Sequence, residues 1–304
     1  MRGDPSTLPA SMLARLRNVA REKQTDYQFV LRRYAVEGFL RGLSHPAQSD
    51  QFILKGAMPF TARLEDPFRP TQDVDLLGHG DPAVDRIAAA FRDICAIEAV
   101  KDGLALDIAA LKAERIRDDQ QYGGVRVRTR ALLGKTRIPL QVDIGFGDAV
   151  TPGTEELEFP SLLSPEGPRL RAYPKETVVA EKFQAIVALG LANSRMKDFY
   201  DLFALSELFT FDSARLAKAV WATFERRQTA MPDDIPTGLI DDFASDPDKR
   251  RQWSAFVRRA SLSVDAPALA EVIERLRFFL GFVIGDPRDR TEKTLEWRPG
   301  GPWR

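Results

Sequence analysis

The run from Phe52 to Gly78 constrains the fold more than any other part of the chain. FILKG reads as a strand entering a glycine turn, MPFTARL as a short helix behind it, and DVDLLG as a second strand. Successive side chains on a strand point to opposite faces, so Asp73 and Asp75 project from the same side with Cα atoms about 6 to 7 Å apart. Carboxylates so placed suit two hard cations about 3.5 to 4 Å apart, the spacing that clamps a phosphate during in-line displacement. Gly56 complements them. Without a Cβ it lets the backbone approach a triphosphate closely, and a helix behind it points amide donors at that anion. Taken alone an acidic pair is weak evidence, because acids two apart are common on loops.

A third carboxylate comes from two alternating runs, GVRVRTRALL and RIPLQVDIGFG, which a Gly134-Lys135-Thr136 turn joins as an antiparallel hairpin. In the second run Leu140, Val142 and Ile144 share one parity, and Gln141, Asp143 and Gly145 the other. Asp143 therefore faces away from an apolar layer, where it is either a surface acid or the completion of a three-carboxylate cation site with Asp73 and Asp75. Asp148 competes with it but lies beyond Gly147, where the strand ends.

With these residues in place, the chain resembles a known family. Strand, Gly-Ala turn, helix and Asp-x-Asp is the order of the DNA polymerase β-like nucleotidyltransferases. KGAMPFTARLEDPFRPTQDVDLLG is most similar to the AbiEii toxin family of abortive-infection and toxin–antitoxin systems. YPKETVVAEKFQAIV resembles that family's third motif and NSRMKDFYDLFAL its fourth, so the likeness runs from about residue 40 to about residue 210. It implies an NTP substrate with Mg²⁺ (two ions), Lys55, Gly56 and Ala57 at the nucleotide, and Asp73, Asp75 and Asp143 at the metal. Lys182 is implied at the triphosphate, and Asp198 as an acid that orients Lys182 or the acceptor hydroxyl, or accepts its proton. It also implies transfer of a nucleotide monophosphate to the 3′ end of tRNA or another RNA, a cognate antitoxin as partner, and a role in phage defence. Ala57 stands where many members carry Gly or Ser, and Pro59 is unusual in the helix that follows.

Read from the residues alone, Lys182 lies on a helix whose Val178, Val179, Phe183 and Ile186 form an apolar stripe, a setting in which a lysine runs its stem along the surface to water. Glu181 diverges from it by about 100°. In MKDFYDLFAL, Asp198 and Asp201 share a helix face, with Lys197 placed to pair with Asp201 at i, i+4. Arg195 and Lys197 are further candidates for phosphate contact.

Lys and Arg total 44, matched by 44 Asp and Glu, which argues against coating nucleic acid by bulk charge. Local patches must serve instead. Arg126, Arg128 and Arg130 alternate along one strand and share a face that either binds RNA phosphates or is simply solvated. Lys249, Arg250, Arg251, Arg258 and Arg259 form a second cluster, on a mixed-charge helix. The single cysteine, Cys95, is expected in the core. His45 and His79 do not form a metal cluster, and no Walker, Gly-x-Ser-x-Gly or dinucleotide fingerprint occurs. With no signal peptide and no apolar run long enough to span a bilayer, the expected location is cytoplasmic.

The expected fold is α/β (α+β), a polymerase β-like nucleotidyltransferase core with a mixed sheet. A helical lead-in over 11 to 43 precedes it and a helical region follows, with the division placed at residues 1–165 and 166–304. The prolines between 151 and 174 mark a connection, and the Gly-, Pro- and charge-rich tail after Gly285 is expected to be loosely held. Two other functions stay open: a nucleotidyltransferase acting on a small molecule or protein, and a non-catalytic module that binds nucleotide or a partner.

Overall fold

A two-residue turn at Gly134 and Lys135 organises the sheet, with Gly134 at φ +60° as the first central position of such a turn favours. It joins two long strands that pair from Leu133↔Thr136 back to Val125↔Ile144. In this computed structural model the described residues are 8–64, 71, 73–97, 103–116, 123–260, 262–284 and 294–304. They fall into two compact units. The first draws on Met1–Glu65, Thr71–Gly147 and Glu155–Ala172, and the second chiefly on Asp148–Thr154 and Tyr173–Arg304.

The first unit contains, in chain order, α1 (Leu8–Glu22), α2 (Tyr27–Leu43), α3 (Pro46–Ser49), β1 (Phe52–Lys55), α4 (Pro59–Arg63), β2 (Val74–Gly78) and α5 (Val84–Ile97). It continues with β3 (Leu104–Leu106), β4 (Lys112–Ile116), β5 (Gly124–Leu133), β6 (Thr136–Phe146), β7 (Glu155–Glu158) and β8 (Arg169–Ala172). These strands form one mixed sheet in the order β3-β5-β6-β2-β1-β8-β7, with β4 also paired to β5. β2 runs parallel to β6 and β1 parallel to β8, while the other pairs are antiparallel.

Register assigns the two faces. Leu54, Leu76 and Ile144 align across three strands, as do Val74, Val142 and Val127, and all six enter the core with Leu40 and Phe39 of α2 and Phe91 of α5. The Phe91 ring lies 5.5 Å from Phe39 and 5.6 Å from Phe52. Cys95 is buried in the same core, which pushes its thiol up to about 11. Residues of opposite parity on the same strands point to the other face, where the charges lie.

Two segments differ from the sequence expectation. The lead-in is two helices, because Gln24 takes φ +48° and Asp26 caps α2 by accepting from the Phe29 N–H at 3.0 Å. The proline-rich stretch after residue 151 is more than a connection: β7 and β8 extend the sheet, the prolines lying outside both strands.

The second unit holds α6 (Lys175–Leu189), α7 (Met196–Leu208), β9 (Phe211–Asp212), α8 (Ser213–Arg226), α9 (Asp241–Ser245), α10 (Pro247–Arg259), α11 (Leu269–Leu280) and β10 (Glu296–Trp297). α6 packs against α7 and α8, and α7 against α11. No helix among the described residues is long and apolar enough to cross a membrane.

The tail expectation is corrected for residues 294–304, while 285–293 lie outside the described residues. β10 pairs with β9, and Trp297 is fully buried, donating its indole N–H to the Ser206 carbonyl at 2.7 Å. Its ring centroid lies 4.9 Å from Phe279 and 5.5 Å from Trp303. Charge, Pro and Gly content suggested a loose end, whereas two tryptophans supply the anchor. We expect Trp297→Ala to destabilise the protein by about 3–5 kcal/mol in urea denaturation, and a loss below about 1 kcal/mol would show that this segment is not docked.

Candidate active site

On the face opposite the core, the first unit carries a row of charges. Lys55 on β1 is registered with Asp75 on β2, Asp75 with Asp143 on β6, Asp143 with Arg126 on β5, and Arg126 with Glu114 on β4. Adjacent strands lie about 4.8 Å apart, so each side chain stands beside the next. Like charges placed side by side on a sheet are unfavourable. The Asp75–Asp143 pair is tolerated because a lysine and an arginine flank it.

Arg126 is fixed on Asp143 by a two-pronged ion pair. Its Nε donates to Oδ1 at 2.7 Å and its Nη2 to Oδ2 at 2.6 Å. Bidentate pairing of this kind is the strong form of the charge-assisted bond. The Asp143 hydrogen bonds hold the Arg126 guanidinium above its usual range, against the opposing effect of desolvation, and the charges of Asp143, Asp73 and Glu114 reinforce them. Asp73 is exposed and directly precedes β2.

Gly56 meets the row from the turn after β1. Its φ is +71°, and a Cβ built there would stand 2.4 Å from Asp75 Oδ2. Only glycine combines that conformation with that approach. Ala57 is buried, and Pro59 occupies the first turn of α4, where a missing N–H costs no helical bond. The resemblance's unusual Pro59 is thus accommodated.

The other two expected site residues meet in the second unit. Lys182 Nζ on α6 lies 2.7 Å from Asp198 Oδ1 and 2.8 Å from Asp201 Oδ2, both on α7. The lysine side chain is 12% exposed and the two aspartates 7% and 0%, so this is a buried cluster. It corrects the reading of Lys182 as a lysine reaching water and of Asp201 as the partner of Lys197. Arg195 adds a 3.9 Å contact to Asp198, and Lys197 is exposed. Glu181 turns away, as expected, and with Asp148 takes the Arg227 guanidinium at 2.9 and 3.1 Å. Asp148 thus serves an ion pair of the second unit.

The structure keeps Arg126, Arg128 and Arg130 on one strand face but gives each an acidic partner. Arg128 pairs with Glu114 and Arg130 with Asp107, the latter at 2.6 Å. Of the second basic cluster, Lys249 reaches the Asn193 carbonyl at 2.9 Å and Arg251 pairs with Asp248, while Arg250, Arg258 and Arg259 are exposed.

Among the described residues no three His, Cys, Asp or Glu side chains converge as a ready metal site. The fit of a divalent cation rests on other observations. Asp75 and Asp143 offer adjacent oxygen donors, Gly56 with no Cβ lets the Asp75 carboxylate lie against the turn, and a guanidinium already stands as a cation on Asp143.

Two signals in the sequence were missed. Counting seven residues from the turn along each strand places Arg126 opposite Asp143, so the hairpin contains the pairing. The shared face of Asp198 and Asp201 was read, but not that the two acids can serve one cation from another helix.

Comparison with known proteins agrees with this architecture. The family described as "Nucleotidyl transferase AbiEii toxin, Type IV TA system" matches residues 38–275. The crystal structure of JHP933 from Helicobacter pylori superposes with a TM-score of 0.50 at 16% identity, covering 82% of this chain and 88% of that one. A second H. pylori structure, described among nucleotidyltransferases, gives 0.49 at 16%, covering 82% and 91%. No curated protein sequence matches.

The buried cluster yields a prediction. Lys182→Met leaves two buried carboxylates facing each other without that ammonium, and should cost about 3–5 kcal/mol in urea denaturation. Asp198→Asn keeps the Asp201 bond and should cost distinctly less. Equal, small effects would show that the cluster is solvated.

Proposed function

Because this chain belongs to the AbiEii family of nucleotidyl transferase toxins of type IV toxin–antitoxin systems, we propose that it transfers a nucleotide monophosphate from an NTP to an acceptor hydroxyl, with the tRNA 3′ end or another RNA as acceptor. The observation that carries the site assignment is the register of Asp75 with Asp143, flanked by Lys55 and Arg126. The acceptor hydroxyl gives up its proton to water as its oxygen forms a bond to the α-phosphorus, the bond to the β-phosphate oxygen breaks, and pyrophosphate leaves. Asp75 and Asp143, with Asp73 adjoining, are the residues to hold Mg²⁺, which when bound neutralises phosphate charge. The triphosphate is assigned to the Gly56 turn, whose backbone lies against the Asp75 carboxylate for want of a Cβ, and Lys55 sets the opposing charge.

Lys182 is assigned to the triphosphate and Asp198 to its orientation. With Asp201, Asp198 fixes the position of the ammonium, and Arg195 beside Asp198 offsets the negative charge the two acids leave, so a phosphate meets an oriented donor. Arg128 is the exposed arginine of the β5 face and the first candidate for an RNA phosphate. Neutralisation by an antitoxin, action in the cytoplasm and a role in phage defence complete the reading.

One observation favours a second reading. Each arginine of the β5 face already has an acidic partner, and the chain has no net charge, which suits a small-molecule or protein acceptor. A single assay separates the two: purified protein, Mg²⁺, each α-labelled NTP in turn and total RNA. We expect label in RNA of tRNA size, reduced at least 10²-fold by Asp75→Asn. Label in protein alone would move the acceptor to the second reading. Undiminished transfer by Asp75→Asn would remove the site assignment.

A further inference from the structure

Arg126 is the arginine of the β5 face that reaches into the charged row, and it takes both oxygens of Asp143. Asp143 is also the neighbour of Asp75, so whatever cation sits between these two acids must approach an oxygen already engaged. We propose that Arg126 is a resident counter-cation which a divalent ion displaces from Asp143 on binding. The proposal rests on the cation site assigned above.

Three features of the row support it. With no divalent ion, two registered carboxylates repel, and a forked guanidinium on one of them offsets this at the correct charge. The Arg126 and Asp143 side chains are 30% and 22% exposed, enough for the guanidinium to leave without opening the core. Glu114, one strand further out and registered with Arg126, already holds Arg128, and it is the acid toward which the displaced guanidinium moves to share that pair. A divalent ion and a guanidinium on the same carboxylate repel over a few Å, so occupancy by one disfavours the other. The metal-free row is thereby held together, and its cation affinity is set below what two adjacent carboxylates would otherwise give.

Direct binding of Mn²⁺ to the full-length protein, followed by loss of the free-ion EPR signal, tests this without any turnover. Arg126→Gln should bind Mn²⁺ roughly tenfold or more tightly than the unmodified chain. Arg126→Lys, which keeps the charge but lacks the fork, should also bind more tightly. If only Arg126→Gln gains affinity, a long-range field and not displacement is at work, and the proposal is overturned. It is overturned equally if neither variant gains. A thermal melt guards against misfolding: without metal Arg126→Gln should melt below the unmodified chain, and Mn²⁺ should raise its Tm more than it raises that of the unmodified chain. A smaller gain contradicts displacement. Mn²⁺ binding that survives both Asp75→Asn and Asp143→Asn would instead overturn the site assignment, and with it this inference.

Discussion

The side-by-side register of Asp75 and Asp143 is the constraint on which the rest of the first unit depends. β2 and β6 are parallel, so they cannot be joined by a tight turn and must be brought together by the whole sheet. The apolar face secures the alignment: slipping β6 by one residue would send Val142 and Ile144 to the charged side and Asp143 into the core. The same register places Lys55 beyond Asp75 and Arg126 beyond Asp143, so hydrophobic packing on one face dictates charge order on the other.

The second unit handles buried charge in a related way. Lys182 is clasped between Asp198 and Asp201, and Arg227 between Asp148 and Glu181. Burial pulls the Arg227 guanidinium down, but Glu181 and Asp148 outweigh it and hold the group above its usual range. Burial, reinforced by the charges of Glu181 and Asp148, pushes the Tyr173 phenol up, so it stays a donor to Asp148. A cation shared by two acids leaves a net negative charge, which favours a further cationic or hydrogen-bonding neighbour. Arg195 beside Asp198 and the Tyr173 hydroxyl beside Asp148 occupy those places.

Much of this was legible in the sequence. Alternation in GVRVRTRALL and RIPLQVDIGFG, with glycine at the turn, specified the hairpin, and the parity of Asp143 put it on the non-core face. The Gly56 turn and the Asp75 strand followed from the same local rules. The pairing of Arg126 with Asp143 was also encoded, but three arginines at alternate positions read more readily as a surface than as ligands of an acid across the hairpin. Asp201 was assigned to the wrong lysine because i, i+4 spacing describes one helix and Lys182 comes from another. The docking of Trp297 and the addition of β7 and β8 depend on partners distant in sequence, which periodicity within a window does not report.

The central claim is that Asp75 and Asp143 form the cation-dependent centre for an NTP. Anomalous scattering from crystals grown with Mn²⁺ and a non-hydrolysable NTP analogue tests it most directly. The account predicts an anomalous peak at coordination distance, about 2.0–2.6 Å, from a carboxylate oxygen of each, with nucleotide phosphate bound beside Gly56. A nucleotide and metal bound away from both acids would contradict it.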